Sequence, residues 1–164
     1  MKNRRLSKGQ LWILFAVYLI LLLKVIVFKM SLLEMKWIIN SWSPEVIKQG
    51  IEHANLQPFR TIDMYVRYWN RGLGSFENLV GNVIAFLPMG YLLPRICRWA
   101  GNLFVCVGLG AVAVLGIEVF QLVSSFGAFD VDDIILNMTG ILIGYIIFLL
   151  VMKNWRVIVS IKTK

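Results

Sequence analysis

Four predominantly apolar runs, Leu11–Phe28, about Asn78–Leu93, Leu103–Val123 and about Ile134–Met152, decide what this chain can become. The first is 18 residues, about 27 Å of helix at about 1.5 Å per residue, close to the hydrocarbon thickness of a bilayer. Backbone inside lipid must satisfy its own hydrogen bonds, so four such runs imply four membrane-spanning helices in an all-α, polytopic domain covering residues 1–164. With 59% hydrophobic and 16% charged residues the chain lacks the polar surface of a soluble globule.

Charge sets the expected orientation. Lys2, Arg4, Arg5 and Lys8 precede the first run, Arg95 and Arg98 lie between the second and third, and Lys153, Arg156, Lys162 and Lys164 follow the fourth. The loop Ser124–Asp133 holds three acids and no base. The positive-inside rule therefore puts both termini in the cytoplasm. Trp12, Trp99 and Trp155 then fall at the inner boundary, as an aromatic belt does. The first run has the basic lead of a signal peptide but is followed by no small-residue cleavage site, so it is expected to stay as an anchor. Lys24, near its end, is expected to reach the outer headgroups.

The net charge of +8 does not indicate nucleic acid, because the bases cluster at the ends of apolar runs instead of on one solvated face. Cys97 and Cys106 have no metal-ligand or disulfide spacing and read as packing residues. His53 has no nucleophile or acid framing it and reads as a solvated loop residue.

The segment from Lys29 to about Glu77 is polar and aromatic and is expected to form a long first external loop. Within it Ile62, Tyr65, Val66 and Trp69 recur at i, i+3, i+4 and i+7, which predicts a short interfacial helix capped by Thr61 and ended by Gly72. Asn78, Gly81, Asn82 and Ala85 form a small, polar stripe suited to helix packing, and Pro88 should kink the second span. Gly108, Gly110 and Ala113 give a GxGxxA match, but no strand precedes it, and packing explains it better. Gly140 and Gly144 form a GxxxG for close helix approach.

The candidate site is acidic and lies at the edge of the membrane. Glu118 and Gln121 share a helical face, with Glu118 about 7.5 Å below the end of its span at about 1.5 Å per residue. Asp130, Asp132 and Asp133 follow, Asn137 stands one turn beyond Asp133, and Asn78 and Asn82 open the second span from the same side. A carboxylate in hydrocarbon costs at least about 3 kcal/mol, so Glu118 requires a partner or a task. Asp130 and Asp132 equally suit capping of the fourth span, with Asp130 as N-cap and Asp133 in the first turn. Such a cluster can hold a divalent cation, bind a polar headgroup or pin helices together. No other cofactor is implied.

The run Glu118-x-x-Gln121, Gly127-Ala128-x-Asp130-x-x-Asp133, Asn137-x-x-Gly140-x-x-x-Gly144 resembles the VanZ-like membrane proteins. Asn55-Leu56-x-Pro58-Phe59-x-Thr61 is similar to that family's loop motif, and Asn78-x-x-x-Asn82-x-x-x-Phe86-x-Pro88-x-Gly90 to its second-span motif. Asp132 falls outside this pattern, so its replacement is expected to be mild. Many relatives carry an arginine just before the first aspartate, where this chain has Gly127-Ala128-Phe129, so the acids need another partner here, either Arg60 or a lipid. The resemblance implies a multi-pass protein of the bacterial cell membrane. It also implies a part in low-level resistance to the glycopeptide teicoplanin, or in envelope homeostasis. Lipid headgroups, lipid-linked cell-wall precursor or the antibiotic itself are the expected partners. A small intramembrane enzyme acting on a lipid-linked or phosphorylated substrate, and a transporter or channel component, are the competing readings. Catalysis is disfavoured by the missing pair of nucleophile and base, and transport by the small number of spans and the lack of an internal repeat.

Overall fold

A computed structural model describes the backbone of residues 6–68 and 73–162 and the side chains of residues 6–68 and 78–152. Seven α-helices and a 3₁₀ turn make up the described chain: α1 Lys8–Ile26, α2 Leu32–Ser41, α3 Pro44–His53, α4 Arg60–Arg67, α5 Leu73–Ile96, the turn Arg98–Gly101, α6 Leu103–Ser124 and α7 Val131–Lys162. Four stretches are long and apolar enough to cross a membrane: Lys8–Ile26, Asn78–Ile96, Leu103–Ser124 and Val131–Met152. The spans expected from sequence are all present, with ends shifted by a few residues. Ser7 starts α1 earlier through a capping box with Gln10, and Asp130 starts α7 before the apolar run begins.

The packing of α5 on α7 is the centre of the fold. A Cβ at Gly140 would collide with the Val83 carbonyl, one at Gly144 with that of Leu87, and one at Gly90 with that of Ile141. Without these glycines the two backbones could not approach so closely. The GxxxG pair thus does what its spacing predicts, and Gly90 returns the contact from α5. Gly110 lets Ile141 close on α6, whereas Gly108 and Gly81 face open space and take no part in packing. Phe86, Val114, Cys106, Ile141 and Tyr145 fill the core, and Cys97 is half-buried and unbonded. The helix α5 runs continuously through Pro88, and Tyr18 of α1 donates its hydroxyl to the nearby Ala85 carbonyl at 2.9 Å. Pro88 has no N–H for the Ile84 carbonyl, and the Tyr18 bond goes to the next carbonyl along and not to that one.

One end of the bundle gathers the end of α1, the start of α7 and the end of α6, because Gln121 Nε2 donates to the Ile26 carbonyl (3.1 Å) and Asn82 Nδ2 to Asp133 Oδ1 (2.6 Å). Here the expected long loop proves to contain three helices instead of one. Ser31 and Glu34 form a capping box that starts α2, and Pro44 occupies the first turn of α3. Exposed Leu32, Leu33, Trp37 and Ile39 give α2 an apolar outer surface, and Trp42 Nε1 ties its end to the Val123 carbonyl at 2.8 Å. Gly50 seats α3 on Leu122. Lys24 is exposed and donates to the Phe28 carbonyl at 3.1 Å. At the opposite end Tyr145 bonds the Gly101 carbonyl (2.7 Å), and Trp12 and Trp99 are exposed. The side chain of Trp155 lies outside the described residues, as do Trp69 and Gly72, which the apolar spacing assigns to the interfacial helix.

Candidate functional site

The helix α4 begins where the chain can least begin one unaided. Gln57, Pro58, Phe59 and Arg60 form a turn closed by the Arg60 amide on the Gln57 carbonyl, and Phe59 adopts left-handed backbone angles (φ 68°, ψ 1°). Proline at the second place and positive φ at the third are the marks of a type II turn, and a non-glycine residue there costs on the order of 1 kcal/mol. Phe59 has no side chain able to cap α4, and Thr61, expected as the cap, lies inside the helix.

The cap comes from α7. Asp132, with no exposed surface, accepts the Phe59 amide on Oδ1 and the Thr61 and Ile62 amides on Oδ2 at 2.7 and 3.1 Å. A carboxylate at a helix N-terminus meets both the free N–H groups and the positive end of the dipole. Asp132, which the sequence leaves outside the motif, is therefore the residue that fastens the loop. Asp130 completes the joint. Its Oδ2 accepts the Thr61 hydroxyl (2.7 Å), and its Oδ1 accepts Asn55 Nδ2 (2.9 Å) and caps α7 at the Asp132 amide (2.8 Å). A backbone bridge runs beside it, from the Asn55 amide to the Phe129 carbonyl and from the Val131 amide to the Asn55 carbonyl, at 2.9 and 3.0 Å. The loop motif of Asn55, Pro58, Phe59 and Thr61 is thus a plug seated on the start of α7, with exposed Pro58 shaping the turn.

Beneath the plug lie the remaining acids. Glu118 is 1% exposed and its Oε2 accepts the Asp130 amide at 3.2 Å; Asp133, half-buried, accepts Asn82. Asn137 is buried one turn further along α7, and its Oδ1 has no donor among the described residues. Gln121, although on the face of Glu118, is used elsewhere, closing the end of α1. Asn78 is exposed one turn above Asn82. Arg60 is exposed and pairs with no acid among the described residues, which overturns it as the partner for the cluster; the single ion pair there is Arg67 with Asp63 on the outside of α4 (2.8 Å). The basic charge felt by Glu118 and Asp133 is instead that of Lys29, in the turn after α1. Tyr65 faces the cluster from α4, and its phenol is held above its usual value, first by burial and then by the negative charges of Asp133 and Asp130. Among the described residues no three His, Cys, Asp or Glu side chains converge as metal ligands do.

Sequence reasoning placed Asp132 among the acids as a cap of the fourth span and did not foresee that it serves α4, and it missed Lys29.

The family model described as VanZ/LLP1 matches residues 15–152. Protein VanZ of Enterococcus faecium is 30% identical over 141 residues, spanning 85% of this chain and 71% of that protein. No solved structure matches. The matched region takes in the plug, the buried acids, the last three spans and most of the first, and this chain is a multi-pass membrane protein of the VanZ family.

Proposed function

We propose that the protein sits in a bacterial cell membrane with both termini in the cytoplasm. In this reading the polar cluster at its outer face binds a lipid headgroup or lipid-linked cell-wall precursor, contributing to low-level teicoplanin resistance or to envelope homeostasis. The observation that carries this reading is the state of the buried acids beneath the plug. A polar clamp between helices would saturate its own members, whereas Glu118 and Asp133 each accept one protein donor that the structure places, and Asn137 Oδ1 accepts none. An ionised carboxylate offers about four acceptor positions, so the cluster has capacity to spare. Binding is favoured over catalysis because the hydroxyl nearest the acids, that of Thr61, is engaged by both Asn55 and Asp130, and His53 is exposed on α3.

The test is Glu118→Gln, expressed in a susceptible host and scored by teicoplanin inhibitory concentration with membrane abundance measured in parallel. Glutamine keeps an acceptor for the Asp130 amide but lacks the charge. Resistance is expected to fall to the level of cells without the protein, at normal abundance. Full resistance would reduce Glu118 to a helix clamp.

A further inference from the structure

Asn137 carries the strongest unassigned signal in the molecule. It is 1% exposed, and its Oδ1 lacks a donor among the described residues. Its direction follows from its neighbours on α7. Asp133, one turn before, bonds Asn82 of α5, and Ile141, one turn after, lies against Gly90 of α5 and Gly110 of α6. Asn137 lies on the same face between them. It therefore looks into the seam of α5 and α6, below the turn of α6 that carries Glu118. An apolar side chain of similar size would fill this place without an unpaired oxygen. Asn137 Oδ1 is thus without a donor among the described residues one turn from Asp133, at the end of the bundle where Glu118 and Asp133 accept one donor each.

What suits such a place is a compact group that carries several donors and a positive charge. A primary ammonium has three N–H donors and no acceptor, whereas a quaternary ammonium has no donor and a phosphate brings only more acceptors. Lys29, exposed in the turn after α1 at this end of the bundle, supplies the opposite charge, which acts on Glu118 and Asp133. Resting on the binding role proposed above, we infer that the cluster takes the headgroup of an aminophospholipid of the phosphatidylethanolamine type. The ammonium lies against Glu118, Asp133 and Asn137 Oδ1, and the phosphate that follows it lies toward Lys29.

The experiment uses the full chain in detergent, with bound lipid counted by native mass spectrometry and thermal unfolding followed by tryptophan fluorescence. Dioleoyl phosphatidylethanolamine is expected to bind and to raise the unfolding temperature. Dioleoyl phosphatidylcholine and N-acetylated phosphatidylethanolamine, which lack the charged donors, should bind at least about tenfold more weakly. Asn137→Leu should fold as well as the parent without lipid, or better, because it removes an unpaired oxygen, yet lose the preference; Asn137→Asp should strengthen it. Equal binding of the three lipids by the parent chain, or a preference that survives Asn137→Leu, would overturn the inference. Stabilisation by soluble O-phosphoethanolamine as large as that by the lipid would overturn a lipid as the carrier of the group. Loss of resistance in Glu118→Gln without any lipid preference would leave the binding role intact and remove this ligand. A lipid preference with full resistance in Glu118→Gln would do the reverse.

Discussion

Asp132→Ala should release the plug while leaving the membrane bundle folded. The side chain holds three amide donors, those of Phe59, Thr61 and Ile62. Hydrogen bonds to a charged group are worth about 1.5–3 kcal/mol each. Phe59 and Arg60 are exposed, so water would reach part of the freed backbone, and a net value of about 1 kcal/mol per bond, about 3 kcal/mol together, is the better working figure. An eight-residue helix has no stability of its own to resist this, and the left-handed Phe59 is a further load. Since about 1.4 kcal/mol is a factor of ten, amide exchange in the segment 55–68 should accelerate by about 100-fold. Asp132→Asn keeps one acceptor but turns an NH₂ toward a backbone N–H, and about tenfold is expected. Hydrogen-exchange mass spectrometry of the detergent-solubilised protein reads both, with peptides from α6 as the internal control. Exchange of residues 55–68 within about threefold of the parent in Asp132→Ala would refute the capping role.

Gly144→Ala should destabilise the bundle by about 1–3 kcal/mol, because its Cβ would meet the Leu87 carbonyl. Gly81→Ala, with nothing within 4 Å, should be neutral or favourable by up to about 1 kcal/mol; equal effects in a detergent unfolding titration would contradict the packing described. Cysteines placed at Gln57 and Ser125 should react with an impermeant reagent in intact cells while the natural Cys97 does not, and the reverse pattern would put the cluster in the cytoplasm. Tyr65 has a folded pKa above the unfolded value near about 10, so the stability it contributes is full below that pH and is lost as pH rises through the folded value. Exchange of the 55–68 segment should accordingly loosen at alkaline pH in the parent, and Tyr65→Phe should remove that component.

Much of the site is legible in the sequence because polarity inside an apolar span is conspicuous. Glu118, Asp133, Asn137 and Asn82 stand out that way, and they do gather at one end of the bundle. The cap that Asp130 gives α7 is legible, but its bonds to Asn55 and Thr61 and the role of Asp132 are not. A capping acid is normally sought beside the helix it serves, and Asp132 serves one that begins 72 residues earlier in the chain, at Arg60. The reading of Thr61 as a cap fails for the same reason: a local pattern shows a free hydroxyl near a helix start but not the carboxylate that reaches it first. Helix α2 escapes a reading of periodicity because its apolar residues Leu32, Leu33, Trp37 and Ile39 lie on an exposed surface and not against a core.

What the sequence determined by itself is the set of spans, since about 20 apolar residues in lipid have no alternative to a helix, and a face of α7 open to close approach, since Gly140 and Gly144 leave a groove there; that α5 fills it was decided by the fold. Only the tertiary structure decided how the acids divide their work. Three aspartates within four residues point in different directions once α7 winds, and their directions depend on what α4, α5 and α6 bring to meet them. Asp130 and Asp132 met backbone donors and became a fastening. Glu118 and Asp133 met one donor each, the Asp130 amide and Asn82, and Asn137 Oδ1 met none among the described residues.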